Sequence, residues 1–275
     1  MPHPSRLVII LLLFALCGCD TVSEDFDDFI DNLKPPSPFE AATWASDFNN
    51  PGKQREGVVL LANSYFGGAE ANVKLYRILV EENSDPLVRA AAITALGRWG
   101  EAKDATIIAE RLDDTFTQVR LEAAKALQRL HLSDVEAKIW QRLVDEDEEE
   151  SIRIELAIAL GQYPSDASFQ ALVDTLQYHG LALNLAAADS LRVLTGQDFG
   201  LDGPLWLSWY EAQNKPFREQ ELFLYPTFQR KVTWLERLVF WSPVTFQKPS
   251  VPRGMETKPR STYDDTEYQN VGEGT

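Results

Sequence analysis

Few residues of this chain have the types and spacing that catalysis or metal binding requires. The three histidines, His3, His131 and His179, stand far apart, and neither His131 nor His179 forms a His-Glu pair or lies at ligand spacing from another histidine. No Gly-x-Ser-x-Gly motif, glycine-rich phosphate loop or dinucleotide fingerprint is present. The acidic run 145–150 lacks the alternating ligands and central glycine of a calcium loop. We therefore predict no catalytic residue, no metal site and no cofactor.

The other candidate for covalent chemistry is Cys19, near the start of the chain. An apolar run follows Arg6 over residues 7–15, too short for a membrane-spanning helix of about 20 residues and typical of a signal peptide. The residues that close it, Leu16-Cys17-Gly18-Cys19, resemble a bacterial lipobox. That resemblance implies that residues 1–18 are removed and that Cys19 is diacylated, as the only cysteine of the mature chain. The alternative is ordinary signal cleavage beside an incidental cysteine.

Lipid on Cys19 predicts a protein anchored at the periplasmic or extracytoplasmic face of a bacterial membrane, because two or more acyl chains hold a protein there stably. Asp20 resembles the signal that retains enteric-type lipoproteins in the inner membrane. Residues 19–37 are acidic at first and then rich in proline. We expect them to form a stiff tether that the anionic membrane surface repels.

The rest of the chain has the composition of a folded body, with 44% hydrophobic and 25% charged residues. No second apolar run is long enough to span a bilayer. The formal net charge of −16 repels polyanions, and the repeats offer no basic patch with the interleaved aromatic residues of single-strand binders. We predict no nucleic-acid partner, and the sequence indicates no small-molecule ligand.

A repeated segment dominates this body. It occurs at 85–92, 114–123, 149–156 and, more weakly, 184–187, and its anchor residues are Arg89, Arg120, Arg153 and Asn184. The anchors are separated by 31, 33 and 31 residues, a period typical of stacked-repeat proteins. Small residues three and six positions after most anchors, with leucine at seven, predict helices that pack closely.

These segments resemble bacterial HEAT-like repeats of the phycobilisome-lyase type. In that family the second helix opens with Asp-x-Asp-Pro-x-Val-Arg and continues Ala-x-x-Ala-Leu-Gly, and the stretch from Asp85 to Gly97 matches closely. The resemblance implies an all-α fold, a right-handed α-α superhelix (a HEAT-repeat α-solenoid) of about five helix pairs over residues 38–196. It also implies an inter-repeat ladder of arginines and repeat-start acids, formed by Asp85, Arg89, Asp114, Arg120, Asp147 or Glu149, and Arg153. A basic binding stripe is the alternative role for these arginines.

A different element follows the repeats at 197–213. The sequence Leu-Thr-Gly-Gln-Asp-Phe-Gly at 194–200 precedes Asp202, a candidate helix cap, and then Trp206 and Trp209. It is similar to terminal elements of other bacterial HEAT-repeat chains, which implies that both tryptophans cap the last repeat. An exposed solenoid end requires such a cap. An aromatic pair that stacks on a ligand is the alternative.

The C-terminal segment 214–260 is basic and rich in aromatic residues, unlike the acidic body. Within it, residues 227–241 can form an amphipathic helix. We expect this aromatic-rich extension to pack on the acidic solenoid, with contact to the membrane or to a partner as alternatives. Residues 261–275 are acidic and contain glycine, which predicts a disordered tail.

These observations favour a membrane-anchored, non-catalytic scaffold that docks a protein partner at the cell envelope. Two alternatives stay open. One is an enzyme or a ligand chaperone similar to HEAT-like bilin lyases, which requires a groove with converging polar groups. The other is an envelope-assembly factor that associates with the membrane through the amphipathic helix at 227–241.

Overall fold

The computed structural model describes residues 36–178, 180–226 and 248–256. These residues form eleven α-helices, with short 3-10 turns before α5 and α7 and after α5. The helices are α1 (Pro38–Ala45), α2 (Pro51–Asn63), α3 (Glu70–Glu82), α4 (Pro86–Trp99), α5 (Ala105–Glu110), α6 (Thr117–Leu127), α7 (Glu136–Leu143), α8 (Glu150–Leu160), α9 (Asp166–Thr175), α10 (Leu181–Thr195) and α11 (Gly203–Glu211). In this part of the chain the only β-structure is an isolated bridge between Leu130 and Arg253.

The first ten helices form five antiparallel pairs that stack in chain order. Each even-numbered helix packs on its own odd-numbered partner and on the even-numbered helices of the neighbouring repeats, so α2, α4, α6, α8 and α10 form one continuous row. The odd-numbered helices contact mainly their own even-numbered partners. The prediction of an all-α solenoid is confirmed.

Small residues let the helices of this row approach closely. Ala92, Ala95 and Ala123 are completely buried, and so are the seam leucines Leu96, Leu127, Leu160 and Leu191. A Cβ atom added to Gly97 would lie 2.9 Å from the Cβ of Ala126. Because there is no room for a larger side chain at this crossing, the alanines and the glycine set the distance between α4 and α6.

Side-chain caps and prolines fix where several helices begin. The Oδ1 atom of Asp85 accepts hydrogen bonds from the backbone N–H groups of Leu87 and Val88, at 2.9 and 3.0 Å, and Pro86 opens α4. Asp202 caps α11 in the same way, as the sequence predicts, with its Oδ1 3.0 Å from the N atom of Leu205. These caps satisfy N–H groups that have no partner inside the helix.

Helix α11 covers the end of the last repeat. Trp206 is fully buried, lies against the rings of Phe169 and Phe199, and donates from Nε1 to the backbone oxygen of Gly200 at 3.0 Å. Trp209 is partly exposed, and its ring centroid is 6.0 Å from that of Phe199. In the structure both tryptophans pack against protein, and Trp206 leaves no face open to a ligand.

After α11 the chain turns back along the row of even-numbered helices. The backbone N–H of Glu221 donates to the carbonyl of Val193 near the end of α10, at 2.7 Å. Phe223 is buried, and it lies so close to Gly161, just after α8, that a Cβ there would be 3.2 Å from the phenyl ring.

Residues 248–256 continue this path along the earlier repeats. The N–H of Arg253 donates to the carbonyl of Arg129 at 2.9 Å, and its carbonyl accepts from the N–H of His131 at 2.8 Å, just after α6. Its guanidinium donates to the carbonyl of Gly100, just after α4. The described parts of the C-terminal extension, 214–226 and 248–256, therefore pack along the C-terminal ends of α10, α8, α6 and α4.

Candidate functional site

The ladder arginines were the first candidates, and the structure joins two of them to acids of the next repeat. Arg89 binds Asp114 with two hydrogen bonds of 3.0 Å, one from Nε and one from Nη2. Its Nη1 also donates to the carbonyls of Asn83 and Ser84, at 2.9 and 3.0 Å. Arg89 therefore holds the turn of its own repeat against the start of the next.

The acid that binds Arg120 is Glu148, which corrects the assignment to Asp147 or Glu149. Nε and Nη2 of Arg120 lie 2.9 Å from the two carboxylate oxygens of Glu148, and the Glu148 side chain is completely buried. Asp147 lies exposed in the preceding turn, where its N–H donates to Asp145. In this run of six acids, the backbone turn decides which carboxylate points inward. The spacing of the residues along the sequence does not distinguish them.

Two arginines hold Glu148 in its charged form. Burial raises the pKa of this carboxyl, but hydrogen bonds from Arg120 and from the N–H of Glu149, with the charge of Arg142, lower it below its ordinary value. The Nε atom of Arg142 is 2.7 Å from Oε2 of Glu148.

The ladder stops on either side of these two links. Asp85 caps α4, and among the described residues no arginine binds its carboxylate. Arg153 donates from Nε to the carbonyl of Leu143 at 2.8 Å and stacks on the ring of Tyr178, 4.2 Å from its centroid. In the described part of the chain no acid lies within salt-bridge distance of Arg153, and the next repeat has Asn184 in place of an arginine.

Because Arg89 and Arg120 are occupied between repeats, the basic-stripe alternative has no support at these two positions. Side chains of the even-numbered helices, most of them buried or half-buried, line a different surface, which we call the groove. Most groove residues recur at fixed positions after the ladder anchors. Ala91, Glu122 and Glu155 stand two positions later, and Thr94, Lys125 and Ile158 stand five positions later. Arg98 and Arg129 stand nine positions later. Residues of α2 and Pro226 of the extension complete it. The groove encloses a cavity of about 610 Å³.

The two carboxylates in the groove are already hydrogen-bonded. Glu122 accepts from the hydroxyl of Thr94 at 3.0 Å and lies 3.5 Å from the amine of Lys125. Glu155 accepts from the side-chain amide of Gln128 at 2.7 Å. These bonds hold both glutamate side chains against neighbouring residues of the groove.

Three arginines gather at one side of the groove, and we call this place the arginine pocket. Gly97, Arg98, Arg129, Tyr225, Ser250, Val251 and Arg253 line a second cavity of about 210 Å³, which shares Gly97, Arg98 and Arg129 with the groove. Arg98 and Arg129 come from adjacent repeats, and Arg253 comes from the extension.

Both repeat arginines of this pocket are substantially buried. Burial lowers the pKa of Arg98. Burial also lowers the pKa of Arg129 to about 10; the charge of Arg98 adds to this shift, whereas Tyr225 and Glu122 oppose it. Nη1 of Arg98 donates to the side-chain oxygen of Asn63 at 2.8 Å. No carboxylate of the described residues lies within salt-bridge distance of Arg98.

Sequence reasoning missed the arginine pocket. One signal was available, because Arg98 and Arg129 are 31 residues apart and occupy the same repeat position. The contribution of Arg253 had no such signal, because it depends on how the extension folds back.

Several predicted features lie outside the described residues: the signal peptide 1–18, the anchor Cys19, most of the tether 19–37, the amphipathic helix 227–241 and the tail 261–275. His179 lies outside them too, and His131 stacks on Tyr163 and contacts Gln162. Within the described ranges, no group of three His, Cys, Asp or Glu side chains could hold a metal ion. None of the helices there is long and apolar enough to cross a bilayer.

Comparison with known proteins identifies the repeats. The family model described as HEAT repeats matches residues 49–128 and again residues 106–192, which together span slightly more than half of the 275 residues. A crystal structure of an engineered protein from a structural genomics consortium is 18% identical, with a TM-score of 0.46, and the match covers 57% of this chain and 78% of that one. A search of curated proteins finds no match.

Proposed function

Since the chain belongs to the HEAT-repeat family, we propose that it is a non-catalytic scaffold that docks a protein partner in the groove, and that lipid on Cys19 anchors it to a bacterial membrane. HEAT repeats commonly serve as scaffolds and interaction modules, because stacked repeats present an extended surface. The anchor, the envelope location and the likeness to lipoproteins with a paired-tryptophan terminal element rest on the sequence alone.

The groove is the observation that supports this function most directly. It runs across four consecutive even-numbered helices, α2, α4, α6 and α8, and is walled on one side by the extension at Pro226. A folded surface that is rigid before binding loses less conformational entropy when a partner arrives. The links Arg89–Asp114 and Arg120–Glu148 provide such rigidity, because they fix the repeats that carry the groove.

An enzyme or ligand chaperone is the second candidate, and the volume of the groove favours it. A cavity of about 610 Å³ lies within the range of about 300–1,000 Å³ that small-molecule sites occupy. The converging polar groups are also present, as Arg98, Arg129, Glu122 and Glu155. Glu122 and Glu155 are already hydrogen-bonded to neighbouring side chains, which favours docking over acid–base chemistry.

Site-specific photo-crosslinking in cells tests the docking function. A photoreactive residue replaces Thr94 in the groove of the full chain, and a matched variant carries it at Thr106, exposed on α5. We expect a protein adduct from position 94 and none from position 106. Adducts from position 106 alone would place the partner on the odd-numbered helices, and no protein adduct at either position would remove the docking function.

A further inference from the structure

The even-numbered helices stack on one another through a fixed set of positions. Counted from each ladder anchor, these are the residues one, four and eight positions later, which share one face of a helix. At the fourth position Ile93, Ala124 and Ala157 are completely buried. At the eighth position of α4, Gly97 lies against Ala126 of α6. In α4, α6 and α8 this face is therefore covered by the next repeat.

The helix that covers this face brings a small residue to it. Ala126 of α6 meets Gly97 of α4. In the last stacked pair, the hydroxyl of Ser190 donates to the carbonyl of Ala157 at 2.8 Å, and a Cβ on Gly161 would lie 3.1 Å from that hydroxyl oxygen. Ala126 and Ser190 occupy the same repeat position, and each follows another alanine by three residues. Close stacking on this face therefore uses small side chains at three-residue spacing.

In α10, the last helix of the row, the same face is open. Leu185 and Ala188 stand one and four positions after the anchor Asn184, and Leu181 precedes Leu185 by one turn. Leu181 is 68% exposed and Leu185 is 50% exposed, and Ala188 is half-buried, whereas Ala157 is completely buried at the matching position of α8. Helix α11, which follows, packs on α9. We call Leu181, Leu185 and Ala188 the open stacking face.

The extension covers the C-terminal half of α10 on this side. Arg192, eight positions after the anchor, binds Glu221 of the extension, with Nη1 3.0 Å from Oε2. The backbone N–H of Glu221 donates to the carbonyl of Val193 at 2.7 Å. The part left uncovered runs from Leu181 to Ala188, which is about 10 Å along the helix at about 1.5 Å per residue. This length matches two turns of a second helix.

Two carboxylates border the open stacking face. Asp189 is exposed beside Ala188. At the start of α10, a Cβ on Gly180 would lie 2.6 Å from Oε1 of Glu150, so this carboxylate lies at the Leu181 end of the face. A two-fold pairing with a second copy of the chain would bring Asp189 of one copy towards Glu150 of the other, and the net charge of −16 adds repulsion at long range. A helix with basic side chains has the charge that this border favours.

We propose that the open stacking face binds an α-helix of a partner protein, which takes the place that the next even-numbered helix of the array would occupy. This helix presents small side chains at three-residue spacing to Leu181, Leu185 and Ala188, and basic side chains to Glu150 and Asp189. None of these three apolar residues lines the groove. The inference therefore adds a second docking surface and does not rest on the docking function proposed above.

Fluorescence anisotropy with the purified full chain tests this proposal. The probe is a labelled, hydrocarbon-stapled helix of about four turns, with two central alanines three residues apart and lysines on either side of them. A matched peptide has leucines in place of the two alanines. We expect the alanine peptide to bind about tenfold more tightly or better, because larger side chains hold the two helices apart.

Leu185→Asp should weaken binding of the alanine peptide by about tenfold or more, because it places a charge in the centre of the apolar contact. Leu205→Asp is the matched control: Leu205 lies on α11 and is also 50% exposed, and this variant should bind as the wild type does. Leu181→Asp should weaken binding too. Its folding is secure, because an acid in the first turn of a helix favours that helix.

The remaining outcomes overturn the proposal. If the wild type binds neither peptide, or binds both equally, the face does not select a helix with small side chains. If Leu205→Asp weakens binding as much as Leu185→Asp does, or Leu181→Asp leaves it unchanged, the helix docks elsewhere. Sedimentation velocity tests the other occupant: a wild-type dimer that becomes a monomer in Leu185→Asp would assign the face to a second copy of the chain.

Discussion

Arg120 and Glu148 join two repeats through a pair of hydrogen bonds, both 2.9 Å long, between a nearly buried guanidinium and a completely buried carboxylate. A second arginine, Arg142, binds the same carboxylate. This geometry makes Glu148 the centre of the contact between the third and fourth helix pairs. It also makes that contact sensitive to the loss of either partner.

Removing the arginine should destabilise the fold. Arg120→Ala leaves Glu148 buried with one cation fewer, and we expect the free energy of unfolding to fall by roughly 1 to 3 kcal/mol. Urea denaturation followed by circular dichroism measures this. The control is Asp147→Ala, at the exposed neighbouring acid, which should change stability little. An equal loss in both variants would mean that the Arg120–Glu148 bond contributes nothing specific to this contact.

The same carboxylate should make stability depend on pH. The folded state lowers the pKa of Glu148 below its ordinary value of 4.5, so the charged form stabilises the fold. This contribution is complete above pH 4.5 and is lost as the pH falls through the lower pKa of the folded state. Glu148→Gln should flatten the acid limb of a stability-versus-pH curve. Glu110→Gln, at an exposed position, should leave the wild-type slope unchanged, and a flattened limb there would contradict the assignment.

Gly254 should be required for docking of the extension. Its φ angle is +91°, and an added Cβ would lie 2.5 Å from both the Cβ of Ala102 and the carbonyl oxygen of His131. Gly254→Ala should therefore release residues 248–256, seen as faster cleavage there by a nonspecific protease. Gly200→Ala is the matched control, because its φ angle is also positive, at +56°, but its Cβ would meet open space. Equal cleavage in both variants would attribute the effect to backbone strain alone.

The lipid anchor is tested by labelling with a radioactive or clickable fatty acid in bacteria. Cys19→Ala should abolish labelling and leave unprocessed precursor, because no other cysteine stands at the modification position of the lipobox-like motif. Cys17→Ala should keep both labelling and processing. Label that persists without Cys19 would exclude this residue as the anchor.

Some of this structure could be predicted because it depends on local pattern. The positions of Leu96 and Leu127 in the seam follow from the repeat period, and the cap at Asp202 follows from residue type and the proline beside it. The role of Glu148 could not be predicted, because three adjacent acids have equal chemistry and only the backbone turn distinguishes them. The arginine pocket could not be predicted either, since Arg253 reaches it from a distant segment.

The hydrogen bond from Arg253 to Gly100 closes a loop of 153 residues. In a simple repeat array each unit contacts its neighbours alone, so the ends can fray without disturbing the middle. Here the described parts of the extension contact the C-terminal ends of the second, third, fourth and fifth helix pairs. Opening one of those pairs therefore breaks contacts with an extension that also contacts the others. This couples their unfolding, so melting of this linear array should be more cooperative than its repeats alone would give.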